Sequence, residues 1–406
     1  MNSVTRHLLI FGFFLVHASP SIAGNLREEI LREQALKNGI TPTSSMNVEV
    51  DPALAGAGAL LFESKKLSLT ENISCQTCHL DDRASTDGLP NAAGVGAEGH
   101  GTERLLQNGA IIPRNALAMW GRGSPEFLTF FWDGKVVGSG KSVESQFGAD
   151  VPSEDPLNVA VRLPIVEVDE MLDRQESISL GAYEESVAAA EKIYELIEER
   201  IRSDDILSGP LSDAFDIKAE NIEIDHIADA LSAHIRNKFR IKDTKFHKFV
   251  FEGGNLSSRE IAGGLLFYGK GQCAQCHSGS HFSDFQFHAM PFPQLGFGKN
   301  GFGVDYGRYN VTLDPVDLYK FRTPPLINVT RTAPYSHSGS VHSLDVAIRF
   351  HFDPLRDTEF RDMNGHERTE YYARLKAWAQ EGSGVPHLTD QEVRSLTSFL
   401  ETLSFY

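Results

Sequence analysis

The chain has 406 residues, 38 basic and 55 acidic side chains, a formal net charge of −17 and four cysteines. A polyanion of this kind is a poor partner for nucleic acid or for an anionic membrane surface. Its length suits two or three domains of ordinary size.

The first predicted element is a targeting segment. Arg6 precedes an apolar run from Leu8 to Val16, and Ser21, Ile22 and Ala23 offer the small residues of a cleavage site before Gly24. That is the pattern of a secretory signal peptide over residues 1–23. The run is far shorter than the roughly 20 apolar residues a spanning helix needs, and no later segment is long and apolar enough to span. Its removal takes away Arg6 and no acid, so the formal charge moves from −17 to −18. The mature chain, about 380 residues long, is expected to be a soluble protein of the bacterial periplasm with no membrane span.

Residues 25–38 predict a short polar helix. Asp51-Pro52 opens an Ala/Gly/Leu-rich helix to Glu63, with proline at the first turn where its missing N–H costs nothing. That helix leads into Cys75-Gln76-Thr77-Cys78-His79. Residues 80–107 are rich in Gly, Asn and Asp and read as loop, with His100 between Gly99 and Gly101. Acidic and apolar residues at helical spacing predict a surface helix over 182–203. Residues 224–239 repeat the pattern, with His226 and His234 read as surface histidines. A helix over 257–267 delivers the chain to Cys273-Ala274-Gln275-Cys276-His277. The Gly/Pro-rich stretch 291–310 reads as loop, and 391–403 predicts a closing helix. No long alternating run marks a strand, so the class is mostly α with long loops.

Both cysteine pairs are followed at once by histidine, and no cysteine is left over. This is the attachment pattern of c-type haem, written twice. Two thiols three positions apart reach the two vinyl groups of one porphyrin, and the next imidazole passes beneath the ring to ligate iron. Cys75, Cys78, Cys273 and Cys276 could instead make an all-thiolate zinc site, or two disulfides. Neither alternative explains why histidine follows both pairs. Two covalent haem c groups are therefore expected, one in each half of the chain, and an anionic surface then favours a cationic or dipolar redox partner.

Together with the haem motifs, four further segments carry a family resemblance. They are Pro113-Arg114-Asn115, Phe131-Trp132-Asp133-Gly134-Lys135, Asp169-Glu170-Met171, and Phe321-Arg322-Thr323-Pro324-Pro325-Leu326-Ile327-Asn328-Val329 continuing through Thr332-Ala333-Pro334-Tyr335 and His337-Ser338-Gly339. In this order they resemble the bacterial dihaem cytochrome c peroxidases and their MauG-type relatives, over nearly all of the mature chain. The resemblance implies two cytochrome c-like domains, residues 24–220 with the peroxidatic haem and a helical insertion, and 221–406 with the electron-transfer haem.

A haem peroxidase must open a coordination position to peroxide and move a proton between the two peroxide oxygens, which asks for one general acid/base on the distal face. The resemblance assigns that part to Glu170, with Gln146 as a distal hydrogen-bonding partner, although this chain is longer than the family between Trp132 and these positions. It makes Trp132 the relay between the haems, His79 and His277 the proximal iron ligands, and His100 a displaceable ligand of the N-terminal haem that its flanking glycines would let swing. Where the peroxidases have methionine and MauG has tyrosine, this chain has His351. The implied bis-histidine iron, with His337 and His342 as nearby competitors, should have a lowered reduction potential. One calcium ion would lie between the domains on Asn115 and the backbone of Thr332 and Pro334, since hard cations prefer oxygen ligands. Without the family, Glu170 is a solvated helix-start acid, Gln146 a bland loop residue, His100 a surface histidine, Trp132 a core aromatic, and His351 a residue packed on a haem edge.

The function implied is reduction of hydrogen peroxide to water with electrons from a small redox protein, a cytochrome c or cupredoxin, delivered through the C-terminal haem. A homodimer is compatible with this. One alternative is a MauG-like oxidase that modifies tryptophan or tyrosine of a partner protein. The other is a non-catalytic electron carrier, which requires both irons to stay six-coordinate.

Overall fold

The computed structural model describes residues 20–140, 142–148, 150–179, 187–299, 303–382 and 386–405. The apolar run of the expected signal peptide lies outside the described residues, whereas Ser21, Ile22 and Ala23 fall in the first helix.

Among the described residues the α-helices in chain order are α1 (Pro20–Lys37), α2 (Pro52–Glu63), α3 (Cys75–Cys78), α4 (Pro156–Val166), α5 (Arg174–Ser179), α6 (Val187–Arg202), α7 (Asp205–Phe215), α8 (Ile224–Lys238), α9 (Lys245–Phe251), α10 (Ser258–Tyr268), α11 (Tyr309–Thr312), α12 (Leu344–Phe350), α13 (Gly365–Gln380) and α14 (Asp390–Glu401). Three small antiparallel sheets accompany them. β1 (Ala92–Ala93) pairs with β2 (Ile111–Ile112). β3 (Thr129–Phe130), β4 (Val136–Ser139) and β5 (Ser142–Glu144) form a meander. β6 (Phe287–Ala289) pairs with β7 (Lys320–Arg322).

One packing unit occurs twice. α2 starts on the Asp51 cap, whose carboxylate accepts from the Ala53 N–H at 2.8 Å, and leads to the first haem motif. It packs so closely on α8 that a Cβ at Gly58 would run into the Ala230 carbonyl. α10 starts on a Ser257/Glu260 capping box and leads to the second motif. It packs on α14 in the same way, Gly263 lying against the Ser395 carbonyl. Each motif is thus delivered by a helix clamped to a later helix. Gly263→Ala overpacks this contact and is expected to cost about 1–3 kcal/mol; an unchanged thermal midpoint in the holoprotein would show that the helices can part without loss.

The division of the chain is less simple than a cut after residue 220. α8 lies beyond that point yet belongs by packing to α2. α1, at the other end, lies on the second half: Leu31 reaches Gly264 of α10, and Arg32 Nε donates to the Phe249 carbonyl of α9 at 3.3 Å. His234, expected at the surface, is buried, its ring 5.1 Å from that of Phe62, because the face of α8 that carries it is the one pressed on α2.

Between the halves runs the segment Phe131 to Lys135. Arg308 donates to the carbonyls of Asp133 and Gly134 at 2.9 and 2.6 Å. The Arg322 N–H donates to the Trp132 carbonyl at 2.8 Å. Arg114 grips Asp133 at 2.6 Å and Asp305 at 2.7 and 2.9 Å, a bidentate fork across the junction. No helix among the described residues is long and apolar enough to cross a membrane.

Candidate active site

Two cavities flank that segment. The first, about 750 Å³, has Cys75, Cys78, His79, Glu170 and Trp132 in its wall. The second has Cys273, Cys276, His277, His351 and also Trp132. Since the two cysteine pairs face different cavities, one four-thiolate zinc site is excluded, and all four thiols are unpaired. Burial pushes the Cys75 and Cys273 thiols up to about 12 and Cys78 to about 11. They are thiols and not thiolates at neutral pH.

Three histidines share one hydrogen-bonding pattern. His79 Nδ1 meets the Ser85 carbonyl, His277 Nδ1 the Phe282 carbonyl and His351 Nδ1 the Ala347 carbonyl, each at 2.9 Å. A carbonyl accepts only, so Nδ1 carries the proton and Nε2 keeps its lone pair for a metal. Burial pushes His79 and His277 down to about 4 and also lowers His351. All three are neutral at pH 7, the state that iron ligation requires. His277 and His351 line the same cavity and lie close enough for their charges to act on each other. Apolar walls, paired cysteines and correctly poised imidazoles fit haem c in both cavities.

His337 and Met290 also line the second cavity. His337 is stacked on Phe321 with ring centroids 4.1 Å apart, and His342 is exposed. Met290 is a possible thioether ligand that sequence reasoning passed over, lying far from the segments compared with the family. His351 alone of these candidates repeats the carbonyl lock of the proximal histidines.

Glu170 sits in the loop between α4 and α5 and faces the first cavity. Asp169 before it adopts φ +70°, a conformation Asp tolerates better than most residues. Its carbonyl accepts from the Val95 N–H at 3.1 Å, an approach that only glycine at 94 permits. Burial, then the neighbouring Glu167, push the Glu170 carboxyl up to about 7. Lys135 binds Glu167 at 2.6 and 2.7 Å and Lys299 binds it at 2.9 Å, a cluster on the same wall that the sequence did not single out.

Gln146 is not brought to the cavity wall. It lies in the turn after β5, and α4 intervenes to present Ala160, Leu163 and Pro164 instead. His100 is likewise off the wall. It starts a 3-10 turn, its side chain 54% exposed and 3.4 Å from Asp82. Trp132, 9% exposed, lines both cavities and donates from Nε1 to the Asn115 carbonyl at 2.9 Å. The Asn115 side chain donates to the Pro334 carbonyl at 2.6 Å, and Thr332 lies on the second cavity's wall.

Residues 52–255 match the model of the family described as di-haem cytochrome c peroxidase. The chain belongs to that family. It is accordingly a peroxidase-type oxidoreductase, and the family implies two haem c groups for the two motifs. Among its curated relatives, cytochrome c peroxidase Ccp of Escherichia coli K12 is 25% identical over 304 residues, 74% of this chain and 53% of that one. The chain therefore spans about half the length of Ccp. The methylamine utilization protein MauG of Paracoccus denitrificans Pd 1222 is 27% identical over 388 residues, 87% of this chain and 89% of that one. A crystal structure of a MauG-like protein associated with microbial copper homeostasis superposes with a TM-score of 0.62 at 23% identity, covering 90% of this chain and 92% of its own. That likeness confirms the fold.

Proposed function

We propose that this family member is a periplasmic peroxidase that reduces hydrogen peroxide to water in the His79 cavity, with electrons entering from a small redox protein through the His277 cavity. The observation that carries the reading is a carboxyl near pKa 7, Glu170, facing the cavity that His79 lines. When bound there, haem supplies the iron at which peroxide is reduced.

The chain's own residues do the rest. At neutral pH Glu170 is present in both forms, so it can take a proton from one peroxide oxygen and return it to the other. His79 is held through Nδ1 with Nε2 free. No second histidine lines this cavity among the described residues, and its methionines Met119 and Met171 are the side chains that would have to stay off the iron for peroxide to bind. In the second cavity His277 and His351 serve as paired ligands. Trp132 touches both cavities and carries electrons between them. Trp132→Phe keeps the packing but loses the bond to Asn115, and is expected to slow electron arrival at the first haem at least roughly tenfold, the effect of about 1.4 kcal/mol on a barrier; stopped-flow absorbance after half-reduction reads it directly.

Calcium at the junction would require the Asn115 amide, which donates to the Pro334 carbonyl at 2.6 Å, to turn its oxygen to the ion, with the Thr332 and Pro334 carbonyls and water completing the shell. Chelation should then slow electron transfer between the haems, and calcium should restore it; a chelated protein with unchanged rates would remove the ion from the scheme.

A second reading, oxidation of a partner protein's tryptophan or tyrosine, is favoured by His351 standing where a methionine would mark an ordinary peroxidase and by the similarity to MauG along most of both chains. One experiment separates the two. The holoprotein, fully oxidised and then half-reduced, is mixed with peroxide. Fast turnover only after half-reduction supports the peroxidase. A long-lived product of two-electron oxidation formed without reductant supports the partner-modifying enzyme, and no reaction in either state rejects both.

A further inference from the structure

The ionic partners of the cavity walls leave two cations over. In the first cavity Arg114 is held by Asp133 and Asp305, Lys135 and Lys299 by Glu167, and Arg174 by Asp169. Arg122 is on the same wall, 8% exposed, and no carboxylate pairs with it among the described residues. Its Nε donates to the Ala118 carbonyl at 2.9 Å. In the second cavity Arg322 is, among the described residues, the sole arginine or lysine, no Asp or Glu among them shares the wall, and it is 1% exposed. It gives Nε to the Phe131 carbonyl at 2.9 Å and Nη1 to the Thr323 carbonyl at 3.4 Å.

A buried guanidinium without an anion is among the costliest things a protein can hold. Burial pulls Arg122 down to about 10; burial and then the charge of Arg122 pull Arg322 down to about 9. The two are neighbours on one ring, Arg122 at 5.9 Å and Arg322 at 5.3 Å from the centroid of Phe127. Two like charges brought together out of water call for negative charge between or beside them. The Arg122 charge acts on His79, the histidine expected to hold the first haem. Each haem brings two carboxylates of its own, and each cavity has one arginine waiting.

We propose that Arg122 and Arg322 are the propionate-binding residues of the two haems, Arg122 for the haem on His79 and Arg322 for the haem on His277. Planar, bidentate guanidinium suits a carboxylate better than lysine does. Because both flank one phenylalanine, the pair also couples the two haems electrostatically, so a change at one arginine is felt more weakly at the other haem.

The test is spectroelectrochemical titration of the matured holoprotein across neutral pH, for Arg122→Gln and Arg322→Gln beside Arg122→Lys and Arg322→Lys, with haem content measured per chain. Loss of a nearby positive charge favours ferric iron. Each glutamine variant should therefore lower the potential of its own haem more than that of the other. It should also introduce a pH dependence that wild type lacks, as the freed propionate takes up a proton. The lysine variants should keep the wild-type pH profile. Glutamine variants with two haems per chain and unaltered potentials and pH profiles overturn the assignment. If a glutamine variant matures without haem, its lysine counterpart decides: two haems retained supports a role for the charge, and equal loss shows a packing role only and overturns it.

Discussion

Glu170→Gln is expected to lower peroxide turnover by about 10²–10⁴-fold, the usual worth of a placed general acid/base, with both haems still attached and the spin state of the first iron unchanged. Glutamine matches the carboxyl in size and leaves the packing of the 167–173 loop intact, so the loss isolates proton transfer. Wild-type turnover should fall as pH drops through about 7, where Glu170 becomes protonated and can no longer accept a proton from peroxide. In the variant that inflection should vanish. Stability gives an independent check with a definite sign. The folded-state pKa is raised from 4.5 to about 7, so the native state is penalised increasingly between those values and fully above the higher one. A shift of that size corresponds to roughly 3 kcal/mol at most. Glu170→Gln should thus be more stable than wild type above pH 7 and equal to it below about pH 4.5. Turnover within twofold of wild type, with the same pH profile, would remove Glu170 from the mechanism.

The parts of the site that could be read from sequence are those whose meaning is local. A CXXCH motif places two attachment thiols and one iron ligand within one turn, and the turn did form at both places, with the carbonyl that orients each histidine supplied five or six residues later. The place of Glu170 on the first cavity's wall could be expected from the segment Asp169-Glu170-Met171. That of Gln146 could not, because the intervening residues fold into α4 and push the turn that holds it off the cavity wall. A signal was present: Asp155-Pro156 repeats the cap-and-proline start of Asp51-Pro52, and Asp155 does cap α4, accepting from Leu157 at 3.0 Å. Reading it would have placed a helix in the insertion.

The remainder was hidden by distance along the chain. His234 is buried because Gly58 lets α2 close on α8. Arg114 finds Asp305 191 positions away. α1 crosses to pack on α9 and α10. No window of neighbouring residues contains such information. The solitary arginines are a case of the same kind, since their lack of an acidic partner becomes visible only when every wall is in place.

His351→Met should raise the reduction potential of the second haem by on the order of 0.1 V or more, within the roughly 0.8 V span that axial ligands command. Methionine sulfur stabilises ferrous iron relative to imidazole, and the substitution exchanges the ligand without adding charge. The structural argument for His351 is its lock, Nδ1 on the Ala347 carbonyl at 2.9 Å at the end of α12, matching that of His277. Electron paramagnetic resonance should lose the bis-histidine low-spin signal in the variant while any high-spin signal of the first haem persists. Should the signal and potential stay as in wild type, the sixth ligand is another residue. Met290, already on the cavity wall, is then the first to replace. The outcome also bears on function. A second haem of low potential is a poor acceptor from a high-potential cytochrome but holds its oxidised state firmly, so a variant of raised potential should accept electrons from such a donor more readily than wild type. If the physiological donor reduces wild type well and the variant no better, electron entry is not limited by that potential, and the histidine must be retained for another reason.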